Sequence, residues 1–81
     1  MRVDKFLNST NIVKRRAIAQ DMIEHKVVFV NGVVAKSSKD IKVGDEIEIK
    51  FLEETKKYQV LQIPTVKNIP KHQKDEYVKE L

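Results

Sequence analysis

Val27-Val28-Phe29-Val30-Asn31-Gly32-Val33-Val34-Ala35 decides how this chain is read. Two β-branched runs flank Asn-Gly, the preferred pair for a two-residue type I′ turn, because both central residues need positive φ. The stretch therefore predicts a β-hairpin. Everything upstream of it has helical periodicity, and most of the chain downstream alternates as strands do.

Upstream, Val3, Phe6 and Leu7 recur at i, i+3 and i+4, which predicts a first helix over residues 2–9. Ser9-Thr10-Asn11 is a polar break rich in turn and capping residues. Ile18, Ala19, Met22 and Ile23 then mark a second helix, from Lys14 or Arg15 to Glu24. Two short helices across a tight break make an αα-hairpin. Downstream, Lys36-Ser37-Ser38-Lys39-Asp40 is a polar loop, and Gly44-Asp45 a turn. Residues 46–51, Glu-Ile-Glu-Ile-Lys-Phe, alternate strictly and read as a half-buried strand with Phe51 in the core. Tyr58 to Ile63 reads as another strand, stopped by Pro64. The expected fold class is α+β: an N-terminal helical hairpin packed on a small antiparallel sheet of three to four strands. Residues 1–63 form the domain. Residues 64–81 form a linker and a short C-terminal helix, with Pro70 at its first position and Tyr77, Val78 and Leu81 as its stripe.

Charge points to a polyanion. The net charge is +4, but the halves differ: residues 1–42 hold nine Lys/Arg and four acids, residues 43–81 seven Lys and eight acids. All three Arg lie within the first sixteen residues. Arg offers a rigid fork suited to phosphate oxygens. Lys14-Arg15-Arg16 stands at the start of the second helix, where the macrodipole is already positive and acids are favoured. Cations placed there suit a phosphate, on which backbone and side-chain donors converge. Arg2 and Lys5 fall off the apolar stripe of the first helix and stay free for a ligand. Asp4 either orients a neighbouring Arg or simply favours the helix N-terminus, the second being the preferred reading. Lys36 and Lys39 supply further cations from the polar loop.

Several chemistries find no support in the residues. There is no Cys, so no disulfide and no thiol nucleophile. His25 and His72 are far apart and lack ligand-spaced partners for a metal. With two Gly, the chain has no P-loop and no nucleophile elbow. No cofactor, catalytic residue or metal site is expected. Five aromatics and no Trp are too few for a stacking platform for single-stranded bases, so backbone and shape recognition of folded RNA is favoured. No apolar run suggests a membrane span or a secretory signal, and a cytoplasmic location is expected. Rival readings are a DNA-binding regulator of the helix-turn-helix type, a protein-interaction module using the acidic strand face or the tail, and an enzyme fragment.

Five pieces in order carry a resemblance: Arg2-Val3-Asp4-Lys5-Phe6-Leu7, Lys14-Arg15-Arg16-Ala17-Ile18-Ala19, Val30-Asn31-Gly32, Lys36-Ser37-Ser38 and Val43-Gly44-Asp45-Glu46-Ile47. Together they resemble the RNA-binding domain of the ribosomal protein S4 type, the αL-type motif. More narrowly they resemble its stand-alone bacterial members, the heat-shock-protein-15 and ribosome quality control P factor family. The resemblance implies a non-catalytic protein that binds rRNA of the large ribosomal subunit, and peptidyl-tRNA stalled on it. It also implies a monomer off the ribosome, with no small-molecule substrate. In those terms Arg2, Asp4, Lys5 and Arg16 match the N-terminal motif facing RNA. Lys14, Arg15, Lys36 and Lys39 are added from charge and position. The tail is short and mixed in charge, which favours the ribosome quality control branch.

Overall fold

A computed structural model describes residues 1–81. Helix α1 spans Val3–Ser9 and α2 spans Arg16–Glu24. Strands β1 (Val28–Val30), β2 (Val33–Val34), β3 (Glu46–Lys50), β4 (Thr55–Val60) and β5 (Val78–Glu80) come after them. A 3-10 turn at Lys71–Gln73 and helix α3 at Lys74–Tyr77 precede β5. The strands form one antiparallel sheet in the order β2-β1-β3-β4-β5.

The hairpin forms as its residues demand. Asn31 has φ 51° and Gly32 φ 82°, the two left-handed residues of a type I′ turn. Val30 pairs with Val33 and Phe29 with Val34. The Asn31 side chain also ties this turn to the next one. Its Nδ2–H donates to Asp45 Oδ1 at 3.1 Å, and its Oδ1 accepts from the Glu46 N–H at 2.9 Å. This sets where β3 begins.

Alternation places Val28, Val30, Ile47, Ile49, Tyr58 and Val60 on the face that the helices cover. Val3, Phe6 and Leu7 from α1, and Ala19 and Ile23 from α2, meet them in one buried cluster. Val13, Ala35 and Ile41 close its edges. No helix is long and apolar enough to cross a membrane.

Four expectations need correction. The sheet has five strands, not three or four. The fifth comes from the tail, where residues 78–81 leave the expected helix. Val78 packs in the core opposite Val60, and the Leu81 N–H donates to Lys57 O at 2.9 Å. The free edge of β4 offered backbone partners to a β-branched residue that a thin helical stripe could not bury as well. Pro70 is accordingly the N-cap of a short helical turn and not its first residue. Helix α2 starts at Arg16, with Arg15 as an extended N-cap and Lys14 in the loop before it. Finally, Ile18 is 47% and Phe51 43% exposed, so neither is core. Phe51 lies beyond the end of β3, in the turn closed by its own N–H to Glu54 O at 2.7 Å.

The tail is also fastened to the helical break. Ser9 Oγ donates to Lys67 O at 2.7 Å, the Ile69 N–H to Ser9 O at 3.0 Å, and Asn11 Nδ2 to Ile69 O at 2.9 Å. Ile69 is buried. Asn11 makes this clamp from a left-handed conformation, φ 62°, which Asn tolerates better than most residues.

Candidate nucleic-acid interface

Arg2 is the N-cap of α1 and Asp4 lies in that helix's first turn. Arg16 is the first residue of α2. Gln20 lies four residues further on, so both side chains rise from one face of α2. These four residues converge. The Asp4 side chain is fully buried, 0% exposed, while those of Arg2 and Arg16 keep 49% and 44% of their surface. Asp4 Oδ2 accepts from Gln20 Nε2 at 3.0 Å, and from Arg2 Nη2 and Arg16 Nε at 3.4 Å each. Asp4 Oδ1 accepts from the Lys5 N–H at 2.8 Å.

Burial by itself would raise the Asp4 pKa. The hydrogen bonds from Gln20 and the Lys5 N–H, with the charges of Arg16 and Arg2, outweigh it and hold the carboxyl below its ordinary range. Asp4 is therefore an anion at neutral pH, surrounded by donors. The preferred reading from sequence, a residue placed only for the helix dipole, gives way to the orienting one. The contacts at 3.4 Å are long and each uses one nitrogen of its guanidinium; Arg2 spends a second, Nε, on Ser37 O, and the other N–H groups of the two oriented forks have no partner within the chain.

The loop after β2 docks against the same corner. Arg2 Nε donates to Ser37 O at 3.2 Å, the Val3 N–H to Lys39 O at 2.8 Å, and the backbones of Arg2 and Asp40 pair in an isolated antiparallel bridge. The Met1 ammonium lies 2.8 Å from Asp40 Oδ1 and holds that carboxyl below its ordinary range. Lys36 and Lys39 are exposed on this loop. On the other side, Asn8 Nδ2 donates to Val13 O at 3.2 Å and Lys14 O at 3.0 Å, which braces the path into α2. Lys14 and Arg15 are exposed there, and Lys5 is exposed on α1. No carboxylate lies within 4.0 Å of Lys5, Lys14, Arg15, Lys36 or Lys39. The structure thus gathers Arg2 and Arg16 on Asp4, sets the Lys36–Lys39 loop beside Arg2, and leaves Lys14 and Arg15 on the approach to α2.

Gln20 and Asn8 were not visible as site residues in the sequence. The signal for Gln20 was its spacing of four from Arg16 on the first turns of α2. Asn8 belonged to a polar run that reads only as a break. His25 caps α2, its Nδ1–H donating to Asp21 O at 2.7 Å; that bond and the Asp21 carboxylate raise its pKa.

The S4 domain model matches residues 1–47. An RQC P-site tRNA stabilizing factor of Helicobacter pylori strain J99 is 46% identical over 78 residues, covering 96% of this chain and 93% of that protein. One from Streptococcus pneumoniae is 47% identical over 51 residues, covering 63% of this chain and 58% of that protein. Among solved structures, trimeric heat shock protein 15 of Vibrio cholerae superposes with a TM-score of 0.89 at 26% identity, over all of this chain and 81% of that one. The solution structure of a hypothetical protein, HP1423, superposes with a TM-score of 0.87 at 43% identity, over all of this chain and 96% of that one.

Proposed function

The chain belongs to the S4 domain family, among the RQC P-site tRNA stabilizing factors, and from that membership we propose that it is a non-catalytic RNA-binding protein of ribosome-associated quality control. It holds rRNA of the large ribosomal subunit and the peptidyl-tRNA stranded on it, in the cytoplasm, and is a monomer when off the ribosome.

The observation that carries this reading is the buried Asp4 between two half-exposed arginines. The short hydrogen bonds to buried Asp4 come from Gln20 at 3.0 Å and the Lys5 N–H at 2.8 Å, and pairing with half-exposed guanidiniums at 3.4 Å adds about 1 kcal/mol or less each, so stability alone is a weak reason to converge two Arg there. Positioning is a better one. Two guanidiniums held on the starts of two packed helices by one carboxylate present their donors side by side, an arrangement suited to the phosphates of a folded backbone. Lys5, Lys14, Arg15, Lys36 and Lys39 surround them and add attraction that tracks no particular sequence. Relatives of the same length bear a name that describes stabilising tRNA in the P site, which supports the same partner here.

The test is sedimentation of the protein with large ribosomal subunits, with and without a stalled peptidyl-tRNA, across a salt series. Binding that rises with peptidyl-tRNA and falls steeply with salt is expected. The Arg2→Ala, Arg16→Ala double variant should lose it. Undiminished binding by that variant at moderate salt would show that the arginine corner is not the contact surface.

A further inference from the structure

We propose that the groove between α2 and β2 is a seat for one unpaired nucleotide of the RNA whose phosphates the arginine corner holds. The proposal rests on the RNA-binding reading above and adds to it a subsite that accepts a base.

The groove is lined by Gln20, Ile23, Lys26, Val34, Lys36 and Ser37, with Glu24 and Ala35 at its margins, and encloses about 510 Å³. That falls in the range of sites that hold small organic ligands. Its walls are of two kinds. Val34 gives the apolar surface, keeping 44% of its own exposed on the edge strand, while Ile23 is 5% exposed and contributes little. Gln20, Ser37, Lys26 and Lys36 give polar atoms around it. No ion pair occupies Lys26 or Lys36.

Two of the lining residues also belong to the arginine corner. Gln20 spends its amide N–H on Asp4, which turns its orientation from free to fixed and leaves Oε1 as an acceptor. Ser37 accepts from Arg2 through its backbone oxygen, and its hydroxyl has no partner. The groove is therefore continuous with the phosphate-binding surface through two hydrogen bonds, Gln20 to Asp4 and Arg2 to Ser37. These shared residues put the groove beside the arginines, within reach of a base that adjoins phosphates held there.

The chemistry of the lining selects among occupants. An amide acceptor and a hydroxyl suit the edge of a base, whose Watson–Crick side is free only when it is unpaired. Val34 takes one flat face of the base, and the two lysines meet the flanking phosphates. Glu24 is the one acid in the lining, set against two cations, so the site favours an anionic chain over a basic one. A paired helix cannot enter, because its bases are stacked inward and only its backbone reaches the surface. The groove thus adds a preference for helices interrupted by a bulge or a loop, to a surface that by itself reads backbone alone.

The experiment compares two blunt, loop-free RNA stems made of two strands each, one with a single bulged nucleotide and one fully paired. Wild-type protein should bind the bulged stem about three- to fivefold tighter, since the seat offers aliphatic contact and no aromatic ring to stack on. Val34→Glu, which sets a carboxylate on the apolar wall of an exposed edge strand, should bring the ratio to near one. In parallel, adenosine 5′-monophosphate is titrated into wild-type protein by NMR, with inorganic phosphate as the reference. Shifts at Gln20, Ile23, Val34 and Ser37 with the nucleotide, and not with phosphate, are expected. Equal affinity for the two stems, nucleotide shifts no different from those of phosphate, or groove shifts produced by an acidic peptide and not the nucleotide, overturns the seat. The RNA-binding reading is judged separately: Arg16→Ala weakening both stems by the same factor upholds it, whatever the groove does.

Discussion

Replacing Asp4 by Asn tests the arrangement on which the interface is built. The change keeps shape and removes charge. Asn Oδ1 still accepts from the Lys5 N–H, which Asp4 meets at 2.8 Å. The other terminal atom becomes an NH2 facing three donors: Gln20 Nε2 at 3.0 Å, and Arg2 and Arg16 at 3.4 Å. Gln20 relieves part of this by turning its amide, so that Oε1 accepts where Nε2 had donated. Its bond then drops from charge-assisted to neutral, a loss of about 1 kcal/mol. The two arginines are half exposed and recover most of their solvation, so each ion pair contributes about 0–1 kcal/mol. The expected destabilisation is about 1–2 kcal/mol, which in a domain of this size lowers Tm by about 5–15 °C. Circular dichroism melts at pH 7 measure it. The pH dependence is a second check with a fixed sign. The folded carboxyl has its pKa below the ordinary value of 3.8, so its contribution is complete above that value and is lost as the pH falls through the folded pKa. The gap between wild type and variant should be full at pH 6 and shrink below about pH 4. Identical melts at pH 7, or a gap that widens on acidification, would refute the claim that Asp4 is a buried, fully partnered anion.

The other predictions concern single contacts. Arg16→Ala should weaken binding by a similar factor for unrelated RNA sequences and reduce the salt slope by about one, read by filter binding at several ionic strengths. Asn31→Ala loses two side-chain hydrogen bonds and forces Ala to φ 51°; urea denaturation should show about 2 kcal/mol less stability, with Asn31→Gly losing less because the turn conformation is retained. Ser9→Ala frees Lys67 O from its 2.7 Å bond and should cost about 1 kcal/mol, with faster hydrogen exchange at the Ile69 amide while β3 amides stay protected.

The sequence by itself determined the helical hairpin, the Asn31-Gly32 turn and the alternation of β3, because each rests on contacts between residues a few positions apart. Periods of 3.6 and 2 and a two-residue turn are local properties that a chain states in its own order. It also determined that the cations crowd the first sixteen residues and the loop at 36–39. Lys14-Arg15-Arg16 was legible as an electrostatic oddity at a helix start. Three matters were left to the tertiary structure. Residues 78–80 became a strand because the edge of β4, some twenty residues earlier, offered backbone partners that no local pattern announces. Ser9 and Asn11, which read as a polar break, became the anchor of residues 67–69 across a separation of 58 positions. Asp4 became the centre of the candidate interface only when α2 packed on α1 and brought Arg16 and Gln20, twelve and sixteen residues away, onto one buried carboxylate. Local periodicity decides which face of a helix is apolar. Which polar groups end up facing one another across two packed elements depends on their crossing and register, and those are fixed only by the whole core.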